Sequence, residues 1–260
     1  MPYKQKKTLP SGVTGRARIA LRDKLKKNRL KTLSPHLSLA SILHGGMSLK
    51  VCGVTSAKDI TKLINIGVKV IGINFWPSSK RYVSGDEAKS MLQPFENDIL
   101  RVGVFVNEDI ESVQYLLDSK VIDVAQLHGD ESAEYCAHLK NLGHSVIKAF
   151  GVDESSDFTK IAGYPVDAIL LDTYSPGVYG GTGKTFDWGV ARSFKENYTD
   201  LPLILAGGIT SDNIDKAVRE SGASMIDVAS GAEISPGVKC LTKVDSLLRS
   251  LDQFNKSQQK

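Results

Sequence analysis

The sequence predicts a single (β/α)8 TIM barrel, and three observations support this fold class. Short apolar runs rich in Val and Ile alternate with amphipathic runs, eight times each, from about residue 49 onward. Repeated β–α units of this kind imply a parallel sheet. Eight units over about 210 residues match the count and size of a closed barrel. A doubly wound open sheet is the alternative, but it usually stops at five or six strands.

Strands and helices are expected in strict alternation. The predicted strands are Leu49–Val54, Val68–Asn74, Leu100–Val106, Asp123–Leu127, Ser145–Phe150, Ala168–Asp172, Leu203–Ala206 and Met225–Ala229. The predicted helices are Ala57–Ile66, Gly85–Phe95, Ile110–Asp118, Ser132–Leu142, Phe158–Ala162, Trp188–Glu196, Asp212–Ser221 and Thr242–Phe254. Ser56 and Ser84 each precede an acid by three residues, as in a capping box. Gly67 and Gly222 fit helix C-caps just before the next strand.

Residues 1–46 are predicted to be a basic N-terminal extension to a barrel domain of residues 47–260. The extension holds eleven basic residues and one acid, a net +10, while the remainder holds 22 basic and 28 acidic residues, a net −6. This composition is typical of a flexible tail that is disordered or partly helical. Three other interpretations stay open: translation from Met47, an organellar targeting peptide, or contact with nucleic acid or a membrane.

Composition narrows the function of the barrel domain. Its mildly acidic balance gives no reason to expect nucleic acid at the active domain, and no apolar run is as long as a membrane span. Three cysteines in 260 residues argue against a disulfide framework and for a reducing compartment. We therefore expect a cytoplasmic protein unless residues 1–46 direct it to an organelle. No His, Cys, Asp and Glu cluster has metal-ligand spacing, so no metal is expected.

Polar side chains gather on one face of the predicted strands, late in each strand. Because alternate residues of a strand face the same way, Lys50 shares a face with Cys52. The same rule pairs Gln126 with His128. Active sites of (β/α)8 barrels lie at the carboxyl ends of the strands. The candidate site residues are therefore Cys52, Gln126, His128 and Asp172. Lys50 is expected to favour a Cys52 thiolate, while His128 fits a structural role equally well.

Glycine-rich loops follow the last three predicted strands. Gly180-Gly-Thr-Gly-Lys184 follows strand six, Ala206-Gly-Gly208 follows strand seven and Ser230-Gly231 follows strand eight. Small residues before a helix give the backbone N–H donors of the phosphate site that such barrels carry at strands seven and eight. The spacing does not fit a P-loop. We expect a small phosphorylated substrate, bound by Gly181, Gly183, Gly207, Gly208, Ser230 and Gly231.

Two adjacent cations, Lys80 and Arg81, lie beside aromatic residues after strand two and suit a ligand with anionic and aromatic parts. Two further motifs are specific, Lys50-Val-Cys52-Gly and Gly180-Gly-Thr-Gly-Lys-Thr-Phe-Asp-Trp188. With Gln126-Leu-His128-Gly129 and Asp227-Val-Ala-Ser-Gly231, they make the chain resemble phosphoribosylanthranilate isomerase from about Leu49 to Lys239.

The resemblance implies the third step of tryptophan biosynthesis. There N-(5-phosphoribosyl)anthranilate is isomerised to 1-(2-carboxyphenylamino)-1-deoxyribulose 5-phosphate, an Amadori rearrangement that needs no cofactor. By the resemblance, Cys52 is the general base and Asp172 the general acid. Arg81 contacts the anthranilate part, and Asp227 assists near the bridging amine. Such roles call for a raised pKa of Asp172 and a lowered pKa of Cys52.

Other functions are weighed against this one. Indoleglycerol-phosphate synthase is the main alternative, but its reaction requires a lysine general acid and uses no cysteine base. A ribulose-phosphate epimerase requires metal-ligating residues on the strands, and the predicted strands show none. A nucleic-acid or scaffold protein that uses the basic extension leaves the polar strand ends unexplained. We expect a monomer or homodimer whose partner is a small phosphorylated molecule, with Lys50, Arg81, Gln126, His128 and Asp227 as substrate-binding residues.

Overall fold

Eight parallel strands close into a barrel in the computed structural model, which describes residues 37–153, 156–173, 187–198 and 200–259. Each strand pairs with the next along the chain, and β1 pairs with β8. The predicted fold class is therefore confirmed. The strands are β1 Ser48–Val51, β2 Val70–Asn74, β3 Leu100–Phe105, β4 Val124–Leu127, β5 Ser145–Val152, β6 Ala168–Thr173, β7 Leu203–Leu205 and β8 Met225–Val228.

Helices alternate with the strands as the sequence predicts. They are α1 Leu39–Leu43, α2 Ala57–Asn65, α3 Gly85–Leu92, α4 Ile110–Asp118, α5 Ala133–Asn141, α6 Phe158–Ala162, α7 Trp188–Asn197, α8 Ile214–Ser221 and α9 Leu241–Gln258. Ser84 forms the expected capping box with Glu87, and Gly222 ends α8 at a positive φ of 68°. Ser56 caps α2 through its hydroxyl alone. Among the helices that the structure describes, none has the length and apolar character needed to cross a bilayer.

The barrel wall separates two apolar cores. Residues of one strand parity, such as Val70 and Leu170, pack together inside the barrel. Residues of the other parity, such as Leu171, pack between the strands and the helices. Lys50 stands in register with Val70 on one side and with Asp227 on the other. Because register partners point to the same face of a sheet, Lys50 and Asp227 belong to the inward-facing set.

Helix α1 lies in the segment that the sequence assigned to the N-terminal extension. Ser38 begins the helix with a reciprocal capping contact to Ser41. The buried side chains of Leu39, Ile42 and Leu43 join the inner core, beside residues that start their strands: Val70, Leu100, Val124, Ala168 and Met225. Helix α1 therefore closes the amino-terminal end of the barrel. The compact unit begins at Leu37, and residues 1–36 lie outside the described part of the chain.

A short hairpin that the sequence analysis did not include follows β8. A 3₁₀ turn at Ser230–Ala232 leads into strands β9 Glu233–Ser235 and β10 Val238–Lys239. The turn between them contains Gly237 at a φ of 84°, a conformation that glycine adopts at little cost. The Thr55 hydroxyl donates to the Gly237 carbonyl at 2.9 Å. This contact attaches the hairpin to the segment that leaves β1.

Candidate active site

The predicted catalytic and polar substrate-binding side chains meet at the carboxyl ends of the strands. Cys52 directly follows β1, and His128 directly follows β4. Gln126, Asp172 and Asp227 lie in β4, β6 and β8, and all three are buried. Each belongs to the inward-facing parity of its strand. The closed barrel therefore brings residues that are up to 177 positions apart in sequence together at the carboxyl end of its strands, which we call the mouth of the barrel.

Lys50 and Asp227 form a buried ion pair beside Cys52. The Lys50 Nζ atom donates to Asp227 Oδ2 at 2.8 Å, and the Lys50 side chain is 0% exposed. Glycine at position 72 leaves room for this arrangement, since a Cβ there would lie 2.7 Å from Cys52 Sγ and 3.1 Å from Lys50 Nζ. The thiol and the ammonium group thus occupy the same small space above β2.

The electrostatics of this group correct one expectation. Burial, followed by the Asp227 carboxylate, raises the pKa of the Cys52 thiol above its ordinary value, although Lys50 and Lys239 act in the opposite direction. The predicted lowering of the Cys52 pKa was therefore wrong. Burial would lower the pKa of Lys50, but Asp227 and Cys52 outweigh it and raise that pKa. Lys50 is accordingly a fixed positive charge, and Cys52 ionises less readily than an ordinary cysteine.

Asp172 lies on the other side of the mouth. Its Oδ1 atom accepts a hydrogen bond from the Thr173 backbone N–H at 2.7 Å, and its Oδ2 atom lies 3.5 Å from His128 Nε2. His128 Nδ1 lies 3.2 Å from Gln126 Nε2. With the amide donating, Nδ1 is the acceptor and the imidazole proton sits on Nε2, facing Asp172. Gln126 and His128 therefore form a chain that ends at the candidate acid.

Arg81 reaches the mouth from the loop after β2, where it is held by Glu233, a residue that the sequence did not point to. Its Nε and Nη2 atoms donate to the Glu233 carboxylate at 2.9 and 2.7 Å. Lys239 Nζ donates to the same carboxylate at 2.6 Å and also to the Cys52 carbonyl oxygen. Glu233 and Lys239 belong to the hairpin β9–β10. A Pro-Gly pair at 236–237 between two short runs was the sequence signal for that hairpin.

The predicted phosphate-binding loops are only partly within the described residues. Gly207 and Gly208 follow β7 with φ values of 90° and 59°. Gly231 lies against the Ile209 carbonyl, where a Cβ would come within 1.9 Å. Ser230, which starts the 3₁₀ turn, is exposed. The loops after β7 and β8 therefore lie together. Gly181 and Gly183 fall at positions outside the described residues, so their phosphate contacts stay a prediction.

Two buried oxygen atoms at the mouth have no hydrogen-bond partner among the described residues. They are Gln126 Oε1 and Asp227 Oδ1. Unpaired buried polar atoms are costly unless a ligand satisfies them. Within the same part of the chain, no three His, Cys, Asp or Glu side chains come close enough to hold a metal ion. The arrangement offers a thiol, a carboxyl group and fixed cations, which suit proton transfer on an anionic substrate.

The fold and the mouth define the class of protein: a (β/α)8-barrel enzyme with an acid–base site at the carboxyl ends of its strands. A family model described as N-(5'phosphoribosyl)anthranilate (PRA) isomerase matches residues 49–250. The chain therefore belongs to this isomerase family. The match confirms the resemblance drawn from the motifs.

Individual relatives agree with the family match. The chain is 40% identical over 201 residues to the N-(5'-phosphoribosyl)anthranilate isomerase of Geobacter metallireducens, covering 77% of this chain and 96% of the relative. The crystal structure of phosphoribosyl anthranilate isomerase from Thermotoga maritima superposes with a TM-score of 0.72 at 31% identity, covering 80% and 99% of the two chains. A third match is a phosphoribosyl anthranilate isomerase in complex with reduced 1-(o-carboxyphenylamino)-1-deoxyribulose 5-phosphate (TM-score 0.69, 30% identity, 80% and 99% coverage).

Proposed function

We propose that the mouth of this barrel isomerises N-(5-phosphoribosyl)anthranilate to 1-(2-carboxyphenylamino)-1-deoxyribulose 5-phosphate, the third step of tryptophan biosynthesis, with Cys52 as base and Asp172 as acid. One observation carries the assignment. Cys52, directly after β1, and Asp172, in β6, face inward at the same end of the barrel, and β7 and β8 lie between their strands. An acid and a base on opposite sides of one substrate can act on it in turn.

Asp172 begins the reaction by protonating the ribose ring oxygen, and the ring opens to an iminium ion. Because Asp172 Oδ1 already accepts the Thr173 N–H, the mobile proton belongs on Oδ2. That oxygen faces His128 Nε2 at 3.5 Å. A donor at this position stabilises the carboxylate left after proton transfer. His128 and Gln126 are thus binding and orienting groups in the proposal.

Cys52 completes the reaction by removing the C2′ proton as a thiolate. The C–H electron pair then neutralises the iminium ion and gives an enolamine, which tautomerises to the ketone. Lys50 and Lys239 both favour the thiolate by charge. The net reaction is an isomerisation that leaves the overall oxidation level of the molecule unchanged, so it needs no external oxidant or reductant. Positioned acid and base groups typically contribute about 10²–10⁴-fold each.

The remaining residues bind the two ends of the substrate. Arg81 meets the carboxylate of the anthranilate part, and the unpartnered Asp227 Oδ1 accepts the bridging N–H. Gly207, Gly208, Ser230 and Gly231, with Gly181 and Gly183, hold the phosphate through backbone donors. The complex of a relative with a phosphorylated, carboxyl-bearing product analogue supports this division. The oligomeric state, monomer or homodimer, and the cytoplasmic location stay predictions.

Loss of anthranilate-type fluorescence as substrate is consumed tests the proposal directly. Cys52→Ala and Asp172→Asn are each expected to lower kcat about 10²–10⁴-fold with a smaller change in KM. Cys136→Ala is the matched control, because Cys136 is buried in α5 away from the mouth and its loss should leave kcat within about twofold. Near-wild-type turnover by Cys52→Ala or Asp172→Asn would overturn the role of that residue. Production of indoleglycerol phosphate by the wild-type chain would favour the synthase alternative.

A further inference from the structure

We propose that Glu233 is a positioning residue that orients the Arg81 guanidinium for a substrate carboxylate and, through Lys239, ties that cation to the backbone of Cys52. This inference rests on the proposed function and goes beyond it, because it assigns a role in substrate recognition to the hairpin β9–β10. The inference is based on the buried carboxylate of Glu233, which is surrounded by hydrogen-bond donors at the edge of the mouth.

The Glu233 carboxylate is built into the structure as a fixed acceptor. It is buried, and Arg81, Lys239 and the Gly237 N–H together donate four hydrogen bonds to its two oxygens. Burial alone would raise the pKa of Glu233, but the bonds from Arg81 and Lys239 outweigh it and hold that pKa below its ordinary value. A buried carboxylate in this setting is ionised and rigid.

The guanidinium of Arg81 is held along one edge only. Glu233 occupies the Nε–Nη2 edge, and no described residue accepts a hydrogen bond from Nη1. The stem of Arg81 lies directly on Gly53, where a Cβ would come within 2.2 Å of the Arg81 Cδ atom. The side chain therefore has one position against the backbone, and its remaining polar edge is left for a ligand. A bidentate partner fixes both the place and the plane of an arginine.

Lys239 extends this arrangement to the base. Its Nζ atom joins Glu233 to the carbonyl oxygen of Cys52 and is itself buried. Burial lowers the pKa of Lys239, while Glu233 opposes the shift. The Thr55–Gly237 bond holds the turn of the same hairpin to the segment after β1. Displacement of Glu233 would therefore move Arg81 relative to the thiol, and misplacements of about 1 Å can cost about 10²-fold in rate.

The molecule contains a matched pair at the other end of the barrel. Arg101 Nε and Nη2 donate to Asp123 at 2.9 and 2.8 Å, the same bidentate geometry as Arg81 and Glu233. Arg101 is the second residue of β3 and Asp123 precedes β4, so this pair lies at the amino-terminal end of the strands. Asp123→Asn therefore breaks a comparable ion pair without touching the mouth.

The experiment compares two ligands on the full chain by calorimetry. One is reduced 1-(o-carboxyphenylamino)-1-deoxyribulose 5-phosphate, and the other is the same compound without its carboxyl group. Glu233→Gln is expected to weaken binding of the carboxylated ligand about tenfold or more and that of the other ligand less than about twofold. Asp123→Asn should change neither affinity by more than about twofold. Equal weakening of both ligands, or no weakening, by Glu233→Gln would overturn the inference.

Two further measurements keep the inference testable. If Glu233→Gln does not fold, Glu233→Asp keeps the charge but shortens the reach, and it should weaken the carboxylated ligand selectively by about threefold or more. Equal effects of Glu233→Asp on both ligands would again overturn it. Turnover by the wild type separates the two proposals. If the wild type is active and Glu233→Gln binds both ligands as the wild type does, only the positioning role is rejected. If the wild type is inactive, the proposed function is rejected.

Discussion

The two ends of the same barrel differ sharply in what they bury. At the amino-terminal end, Leu39, Ile42 and Leu43 of α1 pack onto Leu100 and Met225 in a largely apolar core. At the carboxyl end, the same strands carry Lys50, Asp227, Asp172 and Gln126 into the interior. A few residues along each strand thus separate an ordinary hydrophobic core from a set of buried charges. The wall of the barrel is the same at both ends.

The difference shows which end stabilises the fold and which end is kept for chemistry. Apolar burial contributes about 25 cal/mol per Å², whereas a buried ion pair often gains nothing over apolar residues of the same volume. Asp227 Oδ1 and Gln126 Oε1 lack partners among the described residues, which adds a further cost at the mouth. Residues at the carboxyl end should therefore affect activity more than stability when they are replaced as complete pairs, and residues at the amino-terminal end the reverse.

The largest expected effect comes from the Lys50–Asp227 pair. Lys50→Met leaves Asp227 buried without its cation and should lower the free energy of unfolding by about 3–5 kcal/mol. The double variant Lys50→Met/Asp227→Leu removes both charges, so its unfolding free energy should return to the wild-type value or exceed it by about 1–4 kcal/mol. Its turnover should stay about 10²-fold or more below wild type. Urea unfolding and the fluorescence assay measure both quantities.

The single variant Lys50→Met is the control for the double variant. A double variant as unstable as Lys50→Met would show that the mouth is held by packing that the larger apolar side chains disturb. A double variant with normal turnover would contradict the view that the charges of the carboxyl end serve catalysis.

The next effect concerns the amino-terminal end. Leu39 is 2% exposed, and Leu39→Ala should remove about 2–5 kcal/mol of unfolding free energy by leaving a cavity under the barrel. kcat/KM measured well below the melting temperature should change less than about twofold. Ala40→Lys, at an exposed position of the same helix, is the control and should lie within about 0.5 kcal/mol of wild type. Wild-type stability of Leu39→Ala would mean that α1 does not close the barrel.

Most of the barrel could be predicted because its evidence is local. The pattern of apolar residues placed α4 and α6 at their observed bounds, and each strand within a few residues. Helix α1 was assigned to the extension because five residues next to a strongly basic segment give little periodic signal. The hairpin β9–β10 was missed because its strands have three and two residues. Both elements owe their stability to tertiary contacts rather than to their own sequence.

The residues of the site could be predicted from the sequence, but the direction of the Cys52 pKa shift could not. Alternation along a strand is enough to place Lys50 and Cys52 on one face, and this placement alone predicts a lowered Cys52 pKa. Burial, followed by Asp227, reverses that direction, and Asp227 meets Cys52 only because β8 closes on β1. Glu233 likewise reaches Arg81 through a hairpin whose two strands are too short to give a pattern of their own, although the Pro-Gly pair at 236–237 marks its turn. Contacts that form because the barrel closes, such as those between β8 and β1, cannot be predicted from the residue pattern within one strand.

The smallest effect tests the electrostatics of the mouth against pH. The rate of alkylation of Cys52 by iodoacetamide follows its thiolate fraction, in a background in which Cys136 and Cys240 are replaced by Ala. Because the pKa of Cys52 is raised by burial and then by Asp227, the rate should rise with pH only above the ordinary range of a thiol. Asp227→Asn removes the carboxylate and leaves Lys50 unneutralised, so the whole profile should move to lower pH. Lys50→Met should move it the other way. A profile that stays in place in Asp227→Asn would mean that burial alone sets the ionisation of the thiol, and the carboxyl end would then tune its base by solvent exclusion rather than by charge.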